Sequence, residues 1–158
     1  MQITALEIMT SPVVTVKPET PISEVLDLFA AHNISGVPVV DEGGTVTGIV
    51  CEADIVRFSS RLHVVPLIRS SKWISPYTEI ADIASFRKGF DVLSKSKVRD
   101  VMRRKVIMVE GSASGEEIAR IMARRQVNRI PVVDTEGKIV GIITRSNLIR
   151  YLAQREDE

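Results

Sequence analysis

A chain of 158 residues, 44% hydrophobic and 26% charged, can bury a core of its own as one domain or as two small ones in close contact. Its apolar runs fall far short of the roughly 18–20 residues that cross a bilayer, and its start, MQITALEIMT, lacks the basic-then-apolar order of a secretory signal, so the expectation is a cytoplasmic protein without membrane association. A net charge of +1 speaks against a general nucleic-acid binder, and the single Cys51 excludes an intramolecular disulfide.

In chain order, Pro12 to Val16 (PVVTV) reads as a short β segment. Thr20 followed by Pro21 reads as a helix start, the hydroxyl capping and the proline taking the first helical position. Ile22, Val25, Leu26 and Phe29 then recur at helical spacing and mark one face as core. VPVVDEGGTVTGIV is a pair of apolar runs about a glycine-containing turn, the pattern of a hairpin, and Asp54 to Phe58 resumes helical spacing. Residues 61–97 hold seven Lys/Arg, Pro66, Pro76, Trp73 and Tyr77; they are too many for a structureless connection, which predicts a helix over Ile80 to Leu93. That segment joins what flanks it, or docks a partner through Trp73 and Tyr77. Beyond it the order repeats. Lys105 to Val109 (KVIMV) reads as a β segment, Ser114 with Glu117 as a capping box, and Ile118, Ile121 and Met122 as a core face. IPVVDTEGKIVGII is a second hairpin, and Asn147 to Ala153 a last helix.

Sliding the chain on itself by 93 positions places Ile8-Met9 on Val101-Met102, Pro38-Val39-Val40-Asp41 on Pro131-Val132-Val133-Asp134, Gly44 on Gly137, and GIVCEADIV on GIITRSNLI, with no gap from residue 8 to 58. This is an internal duplication. It predicts an α+β fold within the α/β class: two β-α-β-β-α units packed about a pseudo-two-fold axis. The first repeat spans residues 1–60, a partly helical linker 61–97, and the second repeat 98–155. Charge is uneven: residues 1–60 carry two Lys/Arg against eight Asp/Glu, and residues 98–158 twelve against nine. Such asymmetry forms a polar seam or favours an anionic ligand near the second repeat.

The pairs IMTSPVVTV/VMRRKVIMV, GVPVVD/RIPVVD and GIVCEAD/GIITRSN resemble those of a tandem pair of cystathionine-β-synthase (CBS) domains, a Bateman module. The resemblance implies a regulatory, non-catalytic module with no catalytic cofactor. It would bind AMP, ADP, ATP or S-adenosylmethionine in clefts between repeats, form homodimers as a flat disc of four repeats, and pass occupancy to a protein effector. Carried over residue by residue, it implies ligand contacts at Thr15, Ser35, Gly36, Val37, Pro38, Cys51 and Asp54. In the second repeat it implies them at Asn128, Arg129, Ile130, Pro131, Thr144, Arg145 and Asn147. A carboxylate at a helix start accepts both hydroxyls of a ribose, a hydroxyl three residues earlier lies where backbone N–H groups favour phosphate, and an apolar strand start suits adenine.

Each copy departs from that pattern: Cys51 replaces the hydroxyl in the first, and Asn147 the carboxylate in the second. Arg129 and Arg145 favour phosphates at the second cleft, leaving the first, with Asp54, to a less anionic adenosyl group. Asp54 also reads as a plain first-turn carboxylate, worth roughly 0.3–1 kcal/mol against the helix dipole; Arg103, Arg104, Lys105, Arg124 and Arg125 read first as a solvated face. His32 and His63 lack metal-spaced partners, and no catalytic triad or phosphate loop is evident. The alternative to a sensor is a ligand-free interaction scaffold.

Overall fold

The computed structural model describes residues 3–62 and 87–154. Its elements are α1 (Ala5–Ile8), α2 (Ile22–His32), β1 (Gly36–Val40), β2 (Val46–Cys51), α3 (Glu52–Arg61), the helical residues 87–95 (α4), α5 (Val98–Val101), β3 (Val109–Glu110), α6 (Gly115–Arg125), β4 (Arg129–Val133), β5 (Ile139–Thr144) and α7 (Arg145–Gln154). Of the helix expected over Ile80 to Leu93, residues 87–93 are described and helical. His63, Pro66, Trp73, Pro76 and Tyr77 lie outside the described residues.

Local chemistry explains most of these boundaries and corrects three expectations. Pro12 to Val16 forms no strand. Within it only Val16 makes a β-bridge; ahead of it Thr10 exchanges both backbone hydrogen bonds with Ile142 (2.8 and 3.1 Å), and Pro12 has no N–H to give a ladder. Of KVIMV only Val109 enters a strand, with Glu110, parallel to β4 at Val132 and Val133. Thr20 does not cap α2: Pro21 is the N-cap residue, and the Thr20 hydroxyl accepts the N–H of Lys17 at 3.0 Å. The N–H of Ile22, one of the unsatisfied donors of a first turn, goes to the carbonyl of Ser96 at 2.9 Å.

Of the capping box expected for α6, the half in which the Ser114 hydroxyl accepts the N–H of Glu117 (3.1 Å) is present. α2 and α6 both stop on a left-handed residue, Asn33 (φ 51°) and Gln126 (φ 53°), which are 93 positions apart. In the two hairpins Asp41 and Asp134 each accept two backbone N–H groups across the turn. Gly44 (φ 82°) and Gly137 (φ 79°) supply the left-handed conformation those turns demand.

Two compact units result, and their membership does not follow chain order. One unit joins residues 3–15, 38–49 and 104–154. Its three-stranded sheet runs β3-β4-β5, with β4 antiparallel to β5. Ala5 and Ile8 of α1 are buried in one cluster with Val109, Ile118, Met122, Ile130, Val132 and Ile143. α1 is held there by the N–H groups of Ala5 and Leu6, which donate to the carbonyls of Ala113 (2.8 Å) and Gly111 (3.1 Å). The two hairpin turns also meet in this unit: Ile139 donates to the carbonyl of Gly44 at 3.0 Å, and Val40, Val46 and Val133 bury one another.

The other unit joins residues 16–37, 50–62 and 87–103. Its buried residues include Ile22, Val25, Phe29, Val37, Val50, Ile55, Leu93 and Val98. α5 packs on α3, and the N–H groups of Val98 and Arg99 donate to the carbonyls of Thr20 and Pro18, both at 2.9 Å. The segment that leads into the first repeat is thus built into the unit of α6, α7 and β3–β5. The one that leads into the second repeat is built into the unit of α2 and α3.

Gly141 of β5 is where the first of these segments comes closest: a Cβ there would overlap the Met9 side chain, with the Met9 sulfur nearest. Gly141→Ala is expected to lower stability by about 1–3 kcal/mol through overpacking. Met9→Ala should recover part of that loss, so the double variant in urea denaturation is less than additive. Wild-type stability in Gly141→Ala would contradict the contact.

Candidate functional site

Each unit carries a polar cluster where a hairpin strand turns into a helix. In the first repeat β2 ends at Cys51 and α3 begins, placing Asp54 in the first turn with its side chain 1% exposed. Asp54 Oδ2 accepts the N–H of Cys51 at 2.9 Å in a capping box. Asp54 Oδ1 lies 3.1 Å from Arg103 Nε and 3.3 Å from Arg57 Nη1. Arg103, two residues beyond α5, also directs Nη2 at Cys51 Sγ, 3.5 Å away.

Partial burial alone would lower the pKa of Arg103, but the charge of Asp54 and the hydrogen bonds to Cys51 and Asp54 outweigh it and hold the guanidinium above its ordinary value. Arg103 stays a cation at any working pH. A carboxylate this buried is tolerable because it is paired and hydrogen-bonded; without those partners it would cost several kcal/mol. The N–H of Glu52 donates to the carbonyl of Ser35 at 3.0 Å, which brings Ser35 and the buried Gly36 and Val37 beside the start of α3.

In the second repeat β5 ends at Thr144 and α7 begins, placing the buried Asn147 at the matching position. Asn147 Oδ1 accepts two hydrogen bonds, from the Thr144 N–H (2.8 Å) and the Thr144 hydroxyl (2.7 Å). Asn147 Nδ2 donates to Thr10 Oγ1 at 3.0 Å. The N–H of Arg145 donates to the carbonyl of Asn128 at 3.1 Å, which sets Asn128 and the half-buried Arg129 beside the start of α7. Ile130 and Pro131 are buried in β4, and Arg145 is exposed.

The residues expected from the sequence therefore gather in two groups. Ser35, Gly36, Val37, Cys51 and Asp54 fall in one unit; Asn128, Arg129, Ile130, Pro131, Thr144, Arg145 and Asn147 fall in the other, as do Pro38 and Thr15. Thr15 is half-buried and makes no side-chain hydrogen bond among the described residues. Sequence reasoning missed Thr10 altogether and placed Arg103 on a solvated face; it is exposed, and it also pairs with the buried Asp54. The signal was present, since Thr10 and Arg103 are 93 positions apart, as are Asp54 and Asn147. Asp54 with Arg103 and Asn147 with Thr10 are the same contact in the two copies, once charged and once neutral. Arg104, Lys105, Arg124 and Arg125 are exposed. Among the described residues no three His, Cys, Asp or Glu side chains group as a metal site would need, and no helix is long and apolar enough to cross a membrane.

An α+β chain with two repeated units, each ending in a strand-to-helix turn that presents a polar residue to the other copy's leading segment, has the architecture of a tandem domain pair. The model of the CBS domain family matches residues 5–61 and again residues 98–154, and the chain belongs to that family as a tandem pair. Protein MJ1426 of Methanocaldococcus jannaschii is 34% identical over 150 residues, spanning 92% of this chain and 89% of that one. The chloroplastic CBS domain-containing protein CBSX2 of Arabidopsis thaliana is 31% identical over 150 residues, spanning 90% of this chain and 60% of that protein. The crystal structure of CBSX2 in complex with AMP superposes with a TM-score of 0.72 at 27% identity, covering 97% of this chain and 98% of that one.

Thr10→Val keeps the shape of the side chain and removes the acceptor of Asn147 Nδ2. It is expected to cost about 1–3 kcal/mol, the penalty of an unsatisfied buried donor, while Thr10→Ser stays within about 0.5 kcal/mol of wild type. Equal midpoints for the valine and serine variants in chemical denaturation would show that this hydrogen bond contributes nothing.

Proposed function

We propose that the chain is a non-catalytic regulatory module of the cytoplasm that senses an adenine nucleotide or adenosyl compound. The observation that carries this reading is the Asp54 carboxylate. It is buried at the first turn of α3, oriented by the N–H of Cys51 and flanked by Arg103, a donor and acceptor set suited to a ribose with a nearby phosphate. The 27% identical CBSX2 structure contains AMP, which supports the ligand class. Ser35, Gly36 and Val37 would line the adenine side of this site, with Asn128, Arg129, Ile130 and Pro131 as their second-repeat counterparts and Thr144, Arg145 and Asn147 at the matching helix start.

Ligand binding would bias the chain between two packings and so signal occupancy to a protein effector, to the extent that the ligand binds one packing better. We assign the dimer surface to α3 and α7, which expose Val56 (59%), Ile149 (64%) and Leu152 (50%). Val56 and Ile149 are 93 positions apart, so each repeat presents the same apolar position to a second copy. The competing reading, a ligand-free scaffold, draws support from the partners already filled at Asp54 and Asn147.

Thermal-shift measurements with AMP, ADP, ATP and S-adenosylmethionine separate these readings. A true ligand at about 100 times its dissociation constant adds about 2.7 kcal/mol of stability, and Asp54→Ala should abolish the shift. Stability unmoved by all four compounds would sink the sensor reading. For the dimer, Val56→Glu combined with Ile149→Glu should sediment as a monomer; a wild-type monomer at micromolar concentration would refute the assembly.

A further inference from the structure

We infer that the adenosyl ligand is held at only one of the two helix starts, that of Asp54, and that Arg103 makes this site select a phosphorylated ligand. The inference rests on the sensing role proposed above and narrows it to one site and one ligand class.

Acceptor capacity decides between the two sites. A ribose presents two vicinal hydroxyls, each of which can donate a hydrogen bond to its binding group. An amide oxygen has two lone pairs, and Asn147 Oδ1 has given both to Thr144, one to its N–H and one to its hydroxyl. Asn147 Nδ2 is engaged by Thr10. A ribose finds an acceptor on Asn147 only by displacing the Thr144 hydroxyl, and the oxygen it gains is neutral. The cluster anchors the segment around Thr10 through Asn147 Nδ2, and it offers a sugar no carboxylate.

Asp54 differs in capacity and in charge. A carboxylate offers about four acceptor positions; the Cys51 N–H and the two guanidiniums occupy three of them. Oδ2 keeps one lone pair that no hydrogen bond takes, and with the side chain 1% exposed a ligand reaches it, and the position on Oδ1, only when Arg103 leaves. Arg103 has a place to go. Its Nη2 already lies 3.5 Å from Cys51 Sγ, the position where the duplicated motif has the Thr144 hydroxyl and where a phosphate would approach the start of α3. Its side chain is 52% exposed, free enough to swing.

The ligand thus exchanges one ion pair for another. Ribose hydroxyls take Arg103's place on Asp54, and Arg103 turns its fork of donors to the phosphate, while Arg57 and the Cys51 N–H keep the carboxylate compensated. An unphosphorylated nucleoside must displace Arg103 without offering it a new anion, so it binds more weakly. Loss of the hydroxyl at position 51 is made good by an arginine from the other copy's leading segment, and the site becomes selective for nucleotides over nucleosides.

Titration calorimetry on the full chain with adenosine, AMP and inorganic phosphate tests this. Wild type is expected to bind one equivalent of AMP per chain, at least about ten-fold tighter than adenosine, which is one charge-assisted contact converted to affinity. Arg103→Gln should lose about ten-fold or more for AMP and stay within about two-fold for adenosine, a split that a purely structural role would not produce. Inorganic phosphate should compete with AMP in wild type and fail to do so in Arg103→Gln. Two equivalents of AMP per chain would overturn the single-site assignment. Equal loss for adenosine and AMP in Arg103→Gln would overturn the role of Arg103, as would equal affinity of wild type for the two ligands, a comparison that holds even if the variant fails to fold. A folded wild type that binds neither adenosine nor AMP would overturn the sensing role itself, and this inference with it.

Discussion

The pair of backbone hydrogen bonds between Thr10 and Ile142, and those from Val98 and Arg99 to Thr20 and Pro18, set the constraint on which the rest of the structure depends. Each ties the leading segment of one repeat to secondary structure of the other. Short helices such as α1 and α5, four residues each, have no stability of their own. They exist because Ala5 and Ile8, or Val98 and Val101, are buried in the core of the unit that receives them. A unit of this kind cannot be cut from the chain at the repeat boundary and keep its core, because part of that core is encoded in the other repeat.

The same exchange brings a foreign side chain to each strand-to-helix turn, and there the two copies have diverged in chemistry while keeping their geometry. Asp54 meets Arg103 across 3.1 Å, and Asn147 meets Thr10 across 3.0 Å. The neutral helix residue of one copy is matched by a neutral residue in the segment it receives. The charged version stores an exchangeable ion pair at the first turn of α3. The neutral version engages both lone pairs of its amide oxygen within its own helix start, and a buried hydrogen-bonded network of this kind rigidifies the turn.

The sequence was legible where the physics is local. The helix starting at Ile22 follows from the spacing of Ile22, Val25 and Phe29. The turns follow from Asp41, Gly44, Asp134 and Gly137, and the cap of α6 from Ser114 and Glu117. The duplication was legible because a shift of 93 aligns residues without gaps. Pro12 to Val16 misled because β propensity records a tendency to fit a sheet and not the presence of a partner, and of these residues only Val16 is bridged. Thr20 misled because the first donor of α2, the Ile22 N–H, is satisfied by Ser96, a contact distant in sequence. Local pattern did not set Arg103 apart from its basic neighbours for the same reason: its role depends on which unit receives α5, an exchange that only the 93-residue shift hints at.

The most direct test of this account is the nitrogen-15 NMR spectrum of the full chain titrated with AMP, read at the Arg103 Nε–H, the Cys51 amide, the Thr144 amide and the Asn147 side-chain amide. The account requires the Arg103 and Cys51 signals to move to saturation together while those of Thr144 and Asn147 hold their positions. Movement at Thr144 and Asn147 with Arg103 and Cys51 unmoved would place the ligand at the other helix start and contradict it.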